Sequence, residues 1–555
     1  MTEAAASRPG SWLARRHKHA FWAILLLAIG LRIFIAAHIK AVWFDQILLL
    51  QQAQLLLEGK WTYANYNEYN FFTLHGGGLS SYNHPLYPVI TAVTAMALRN
   101  LQWSGILVSF AANTIMLLLV YRIGRSLLGR NWSLCLLAAC SLAPAFAELS
   151  VNCFAESLYM MWVVLCGWCV LQACRGKRPW AAALGAGAAM GCAYLTKPEA
   201  FALAPVFALG LVVGTGLGRR RRWNVGLGLA VVFGCTTLVT ALPYPLYFKV
   251  QTGQWMPPQK FLYNFLLAER LETMRVDRAY WELNDTDTDT VLSERVSKET
   301  VASAAQGKYA HLAARSLGNL NTIFSRLIPL GPFSLAVAGI LTVWAFLAIR
   351  GWKRRLLLQG YLVLLVLAQV LPMTIFNPID RLVTQLPTAM SLAGLMMLRN
   401  IGRSSAWLRV KTPADVPAGL LTIITATCVG MWFILLPPEL KFIRSQENLK
   451  IIGEWLKPQV REDTVVMSRN PTVPFYAHTR HIILPAELDP ERVYNYGVHK
   501  GAEFVVIVDT SKDDSKDILL PEPYFQLYKQ FDQPKDKRSV RIYRFVKQTE
   551  QKPSA

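Results

Sequence analysis

A small set of ionisable side chains interrupts a sequence that is otherwise strongly apolar. Asp45 stands in AVWFDQ, and Glu148 and Glu156 flank AFAELSVNCFAESLY. Lys197 and Glu199 break the run YLTKPEAF, Asp380 and Arg381 stand in NPIDRL, and His75 and His84 lie between the first apolar blocks. A carboxylate at the edge of a membrane can take the proton of an attacking hydroxyl. Cations at the same depth can hold and neutralise a phosphate, lysine as a point charge and arginine as a two-pronged fork. Ionisable groups within or beside membrane spans are costly, so each is a functional candidate by default.

The elements that must position these groups are long apolar segments. Of 555 residues, 53% are hydrophobic and only 17% charged, with a mean hydropathy of +0.29. This balance excludes a disordered chain, a coiled coil and an ordinary soluble enzyme. Lys and Arg number 57 against 35 Asp and Glu, a formal net charge of +22. The excess falls in short patches between apolar blocks, which points to membrane topology and anionic lipid rather than nucleic acid. The spans expected are 20–40, 103–121, 132–147, 155–174, 180–196, 199–218, 224–247, 328–349, 356–376, 381–398 and 415–436. Every second connection is basic, at Arg122–Arg130, Arg175–Arg178, Arg219–Arg222, Arg350–Arg355 and Arg399–Lys411. That phase predicts a polytopic α-helical protein of about eleven spans, with its N-terminus inside and its C-terminus outside.

Three larger pieces are then expected on the outer side: 41–102, 250–325 and 438–555. Residues 85–98 are too few to span and read as an interfacial helix. The tail changes composition and predicts a small extracytoplasmic α/β domain, set apart from a membrane module over 1–437. Its expected elements are an amphipathic helix at 440–457, strands at 464–468, 481–484 and 504–508, and a helix at 490–500. No G-x-G-x-x-G or P-loop occurs, so no nucleotide site is expected. On this topology the charged groups, though far apart in sequence, fall near one outer surface.

The order of these pieces resembles the GT-C membrane glycosyltransferases, in particular the family 39 group of protein O-mannosyltransferases and aminoarabinose transferases. The segments that carry the resemblance are Asp45-Gln46, His84-Pro85-Leu86-Tyr87-Pro88, Phe154-Ala155-Glu156-Ser157-Leu158-Tyr159 and Leu195-Thr196-Lys197-Pro198-Glu199-Ala200. Arg381 with Leu386-Pro387 and, in the tail, Phe475–His478 and Gly501–Val506 continue it. Where the family often has an Asp-Glu pair, this chain has Asp45-Gln46, and its His84-Pro85-Leu86 departs from the family's His-Pro-Pro. The resemblance implies transfer of a sugar from a polyprenyl-phosphate carrier to a glycan, lipid or protein outside the bacterial cytoplasmic membrane. It implies Asp45 as general base. Lys197, Arg381 and His84 are the candidate contacts to the donor phosphate, and Glu156 and Glu199 the candidate acceptor or cation ligands. A divalent cation is compatible with this set. The rival reading is a multi-span transporter, which would place its polar groups at the midplane and show two related halves.

Other features have plainer readings. Arg32, inside the first span, can reach a phosphate or extend its stem to the interface. All nine cysteines lie in apolar segments, so Cys166-x-x-Cys169 reads as packing rather than redox or metal chemistry. His75-Gly76-Gly77-Gly78 lacks a nucleophile elbow. The run Asp285–Thr290 lacks the Gly and Glu of a calcium loop. Gly187-x-x-x-Gly191 allows close helix packing.

Overall fold

The computed structural model describes residues 16–62 except 43, then 78–79, 83–216, 223–253, 255, 259–273 and 309–330. It further describes isolated residues between 364 and 396, and 415–485, 489–508, 520, 522–533 and 538–546. The chain divides into two compact units. One comprises Met1–His38, Asn83–Trp255 and Ala305–Leu440, and the other Ile39–Tyr82, Met256–Ala304 and Lys441–Ala555.

The helices in chain order are α1 (His17–His38), α2 (Phe44–Leu57), α3 (Leu86–Leu98), α4 (Leu101–Leu127), α5 (Trp132–Ser141), α6 (Pro144–Val151), α7 (Ala155–Cys174) and α8 (Pro179–Thr196). They continue with α9 (Ala200–Gly216), α10 (Trp223–Ala241), α11 (Pro243–Thr252), α12 (Gln259–Leu271), α13 (Tyr309–Leu330), α14 (Asp415–Leu456), α15 (Thr472–Ala477) and α16 (Pro490–His499). Among the described residues, five helices or helical stretches are long and apolar enough to cross a membrane: α1, α4, α7, α10 and Pro417–Ile434 within α14. The chain is thus a mostly helical membrane protein that carries a small C-terminal sheet domain.

In the first unit, helix boundaries follow local chemistry. Asn100 starts α4 by accepting the Trp103 amide at 3.0 Å, which satisfies one of the free donors of a first turn. Arg99, in the left-handed region at φ 51°, turns the chain from α3 into α4. The segment 132–147, expected as one span, is two helices, because Pro144 opens α6 and cannot continue α5. Likewise 224–247 breaks at Pro243, which opens α11. Gly187 and Gly191 let α8 lie directly on α10. A Cβ at Gly187 would come within 2.5 Å of the Phe233 carbonyl, and one at Gly191 within 2.5 Å of Thr240 Cβ. The nine cysteines are free thiols.

Arg32 lies inside the unit, bonded to three groups of the protein. It is fully buried. Its Nη1 donates to the carbonyls of Ala28 at 2.9 Å and Ser141 at 2.8 Å, and its Nε donates to Asn113 Oδ1 at 3.2 Å. Ser141 is the last residue of α5, so the guanidinium sits at the negative end of that helix dipole and takes a carbonyl left bare by the break. The side chain ties α1, α4 and the α5 terminus together.

In the second unit the tail forms a five-stranded sheet in the order β2-β1-β3-β5-β4. The strands are β1 (Val465–Ser468), β2 (Arg480–Ile483), β3 (Ala502–Val508), β4 (Phe525–Gln533) and β5 (Arg538–Phe545). β1 runs parallel to β2 and β3, whereas β5 is antiparallel to β3 and β4. Alternation of side chains across the strands gives two apolar layers. Val466, Val506 and Ile542 pack with Leu449, Ile452 and Leu456 at the end of α14 and with Val473 and Ala477 of α15. Val465, Met467, Val505 and Tyr543 pack with Val493, Tyr494 and Tyr496 of α16. The amphipathic helix expected at 440–457 is the end of the 42-residue α14.

Candidate active site

The charged residues of the first unit gather where α7 begins and α8 ends. These helices are joined by a short turn and run antiparallel, so the start of one and the end of the other lie at the same depth. Glu156 occupies the first turn of α7, where the helix dipole favours a carboxylate. Lys197 immediately follows α8, with extended backbone at φ −151° and ψ 133°. Its Nζ donates to Glu156 Oε1 at 3.1 Å, and the two side chains are only 3% and 6% exposed. Glu199 Oε1 lies 3.9 Å from the same nitrogen, and the ammonium sits 5.8 Å from the centre of the Tyr159 ring. Two carboxylates therefore share one buried cation, and Lys197 and Glu156 are brought together from 41 residues apart in sequence.

His84 joins this end of the bundle through the backbone of α8. An α-helical carbonyl at 194 would accept the amide of residue 198, but that residue is Pro198 and has no N–H. The bare Tyr194 carbonyl accepts from His84 Nδ1 instead. A carbonyl only accepts, so this bond places a proton on Nδ1. The His84 ring is also held edge-on by Tyr194, at 4.8 Å between centroids, and tilted on Tyr244 at 5.0 Å. Behind it, Tyr87 on α3 donates to the Gly105 carbonyl at 3.0 Å. Ser109 on α4 donates to the Phe154 carbonyl at 3.1 Å, and Ser157 donates to the Leu149 carbonyl at 2.9 Å. These bonds fix the entrance to α7 and with it Glu156.

The structure thus brings His84, Glu156, Lys197 and Glu199 to one end of the first unit. Asp45 belongs to the second unit, in the first turn of α2, half-buried beside the buried Gln46. Arg381, Asp380 and His75 lie outside the described residues, as does the run Asp285–Thr290. Among the described residues no group of three or more His, Cys, Asp or Glu side chains gathers as a metal site. Three aromatic residues of the cluster, Tyr159, Tyr194 and Tyr244, were not candidates from the sequence. The Lys197-Pro198 pair at a helix end is the signal that exposes the Tyr194 carbonyl, but it does not say which side chain takes it.

The fold is similar to those of two solved proteins. It matches ArnT from Cupriavidus metallidurans bound to undecaprenyl phosphate with a TM-score of 0.59 and 14% identity, over 94% of this chain and 97% of that one. It also matches the archaeal oligosaccharyltransferase AglB from Archaeoglobus fulgidus, in complex with an inhibitory peptide and a dolichol-phosphate. There the TM-score is 0.54 and the identity 12%, over 89% of this chain and 70% of that one. Residues 83–244 match the family model for dolichyl-phosphate-mannose-protein mannosyltransferase. That stretch contains His84, Glu156, Lys197, Glu199 and Tyr244. No curated protein matches the sequence.

Proposed function

We propose that the chain is a glycosyltransferase that moves a monosaccharide from a polyprenyl-phosphate carrier to an acceptor on the outer face of the bacterial cytoplasmic membrane. The observation that carries this reading is the buried Glu156–Lys197–Glu199 cluster beside His84, inside the stretch that matches the mannosyltransferase family model. The match of fold to proteins solved with undecaprenyl phosphate and with dolichol-phosphate supports the lipid-linked donor. The acceptor is an envelope glycan, lipid or protein. The N-terminus lies in the cytoplasm, and the tail domain lies outside.

In the proposed reaction the acceptor hydroxyl gives its proton to Asp45 as its oxygen bonds to the anomeric carbon. The bond from that carbon to the phosphate oxygen breaks, and its electron pair leaves with the phosphate. The sugar passes through an oxocarbenium-like state, as in glycoside hydrolysis, and one direct displacement inverts the anomeric centre. The carrier phosphate changes from a diester to a monoester, so its negative charge grows as the bond breaks. Lys197, Arg381 and His84 meet that charge. Lys197 already faces two carboxylates, so one lysine does not neutralise the leaving group, and a second cation is part of the proposal: Arg381, or a divalent ion at Glu156 and Glu199.

Membranes from cells that lack the chain supply both carrier-linked sugar and acceptor. Purified protein added to them is expected to release carrier phosphate and to add one sugar mass to an envelope component, read by mass spectrometry. Solute uptake into sealed vesicles with no carrier phosphate released would contradict the proposal in favour of transport.

A further inference from the structure

The segment that leads into Asp45 is held by the tail domain of the same unit. Ile39, Ala41 and Val42 are buried although they lie between helices, and buried backbone groups need partners. The tail supplies them. The Val42 amide donates to the Tyr476 hydroxyl at 2.9 Å, across 434 residues of sequence. Lys450 Nζ donates to the Lys40 carbonyl at 3.0 Å and lies 5.2 Å from the centre of the Tyr476 ring. Lys40 in turn pairs with Glu447 at 2.8 Å. Two successive turns of α14, bearing Glu447 and Lys450, and the short helix α15, bearing Tyr476, thus grip residues 40–42. α2 begins at Phe44, so the grip fixes the point at which that helix starts and the place of Asp45 in its first turn.

We infer that Tyr476 is a positioning residue for transfer: through the Val42 amide it sets where the Asp45 carboxylate stands. The inference rests on Asp45 as the general base. It gives the tail domain a role in the chemical step itself, independent of which acceptor is used. A hydroxyl at this point is suited to the task, because it accepts the amide while its ring carries the Lys450 ammonium that holds the neighbouring carbonyl. Loss of the hydroxyl frees one of the two backbone anchors and leaves the ring and Lys450 in place. A shift of about 1 Å in a reacting group can cost on the order of a hundredfold in rate, and one freed anchor allows a fraction of that.

The test compares Tyr476→Phe and Asp45→Asn with the native full-length chain, using membranes of cells that lack the chain as the source of donor and acceptor. Initial rates over a range of membrane concentrations separate kcat from apparent KM. Tyr476→Phe is expected to lower kcat about tenfold with apparent KM unchanged. Hydrogen exchange should rise at the Val42 amide while the tail strands stay protected. An unchanged kcat in Tyr476→Phe, with Asp45→Asn inactive, would overturn the positioning role and leave the base assignment standing. A loss of rate that follows loss of protection across β1 and β3 would reduce Tyr476 to tail stability and also overturn it. Near-native transfer by Asp45→Asn would remove the base assignment and this inference with it.

Discussion

Lys197 and Glu156 are charged, paired and almost wholly withdrawn from solvent. Withdrawal costs several kcal/mol for each ion, and the pairing recovers it only while both partners remain. Lys197→Met is therefore expected to destabilise the first unit by about 3–5 kcal/mol. The double variant Lys197→Met/Glu156→Gln should recover part of that loss, because the buried Glu156 charge is removed together with that of Lys197. Thermal unfolding in detergent of the native protein, Lys197→Met, Glu156→Gln and the double variant gives the coupling directly. His481, in β2 of the tail, makes a second residue-scale prediction. Burial holds its pKa down at about 4, against the opposing effect of its bond to the Ser468 carbonyl. Its folded pKa lies below the ordinary value near 6.5, so the unfolded chain binds the extra proton first. The stability that neutral His481 confers is whole above about pH 6.5 and is lost as pH falls toward 4, by about 3 kcal/mol at the limit. Hydrogen exchange of β1 and β2, corrected for intrinsic pH dependence, should show that loss, and His481→Gln should flatten it. At this scale the sequence identifies His84, Glu156, Lys197 and Glu199 by type. It does not reveal their partners, since a bare carbonyl at Tyr194 or a shared ammonium arises only when helices from different parts of the chain meet.

The helices set where these groups stand, and their ends are made by proline and by buried polar contacts. Long apolar runs identify α1, α4, α7 and α10 directly. The breaks at Pro144 and Pro243 are written in the sequence too, but hydropathy averaged over a span runs straight through them. The hairpin of β4 and β5 escapes for a different reason. It lies at the sheet margin, and its outward positions, Lys529, Asp532 and Arg544 among them, dilute the apolar alternation that betrays a strand. The close approach of α8 to α10 gives an element-scale prediction. Gly191→Ala places a methyl 2.5 Å from Thr240 Cβ and should cost about 1–3 kcal/mol through forced separation. Lys197 follows α8, so transfer should fall as well, and thermal unfolding with an activity assay reads both. Arg32→Met leaves the Ser141 carbonyl and Asn113 Oδ1 without their donor. Each buried acceptor so exposed costs about 1–3 kcal/mol, and the loss should appear in the unfolding temperature without a change in apparent KM.

At the scale of the whole molecule, composition and basic patches show a multi-span membrane protein with a small α/β tail, and the observed helices and five-stranded sheet agree with that class. The sequence could not show that residues 39–42 bond with Glu447, Lys450 and Tyr476, because no local pattern links segments 400 residues apart. That contact puts the beginning of α2 and the tail in one compact unit. In the proposed reaction the Asp45 carboxylate removes the acceptor proton. The most direct measurement of this step is the transfer rate of purified Asp45→Asn in membranes of cells that lack the chain, with carrier phosphate release and sugar addition followed together. Loss of a positioned general base typically costs about 100- to 10,000-fold. A fall in that range is expected with the protein still folded and apparent KM little changed, and a rate within a few-fold of the native chain would remove Asp45 as the base.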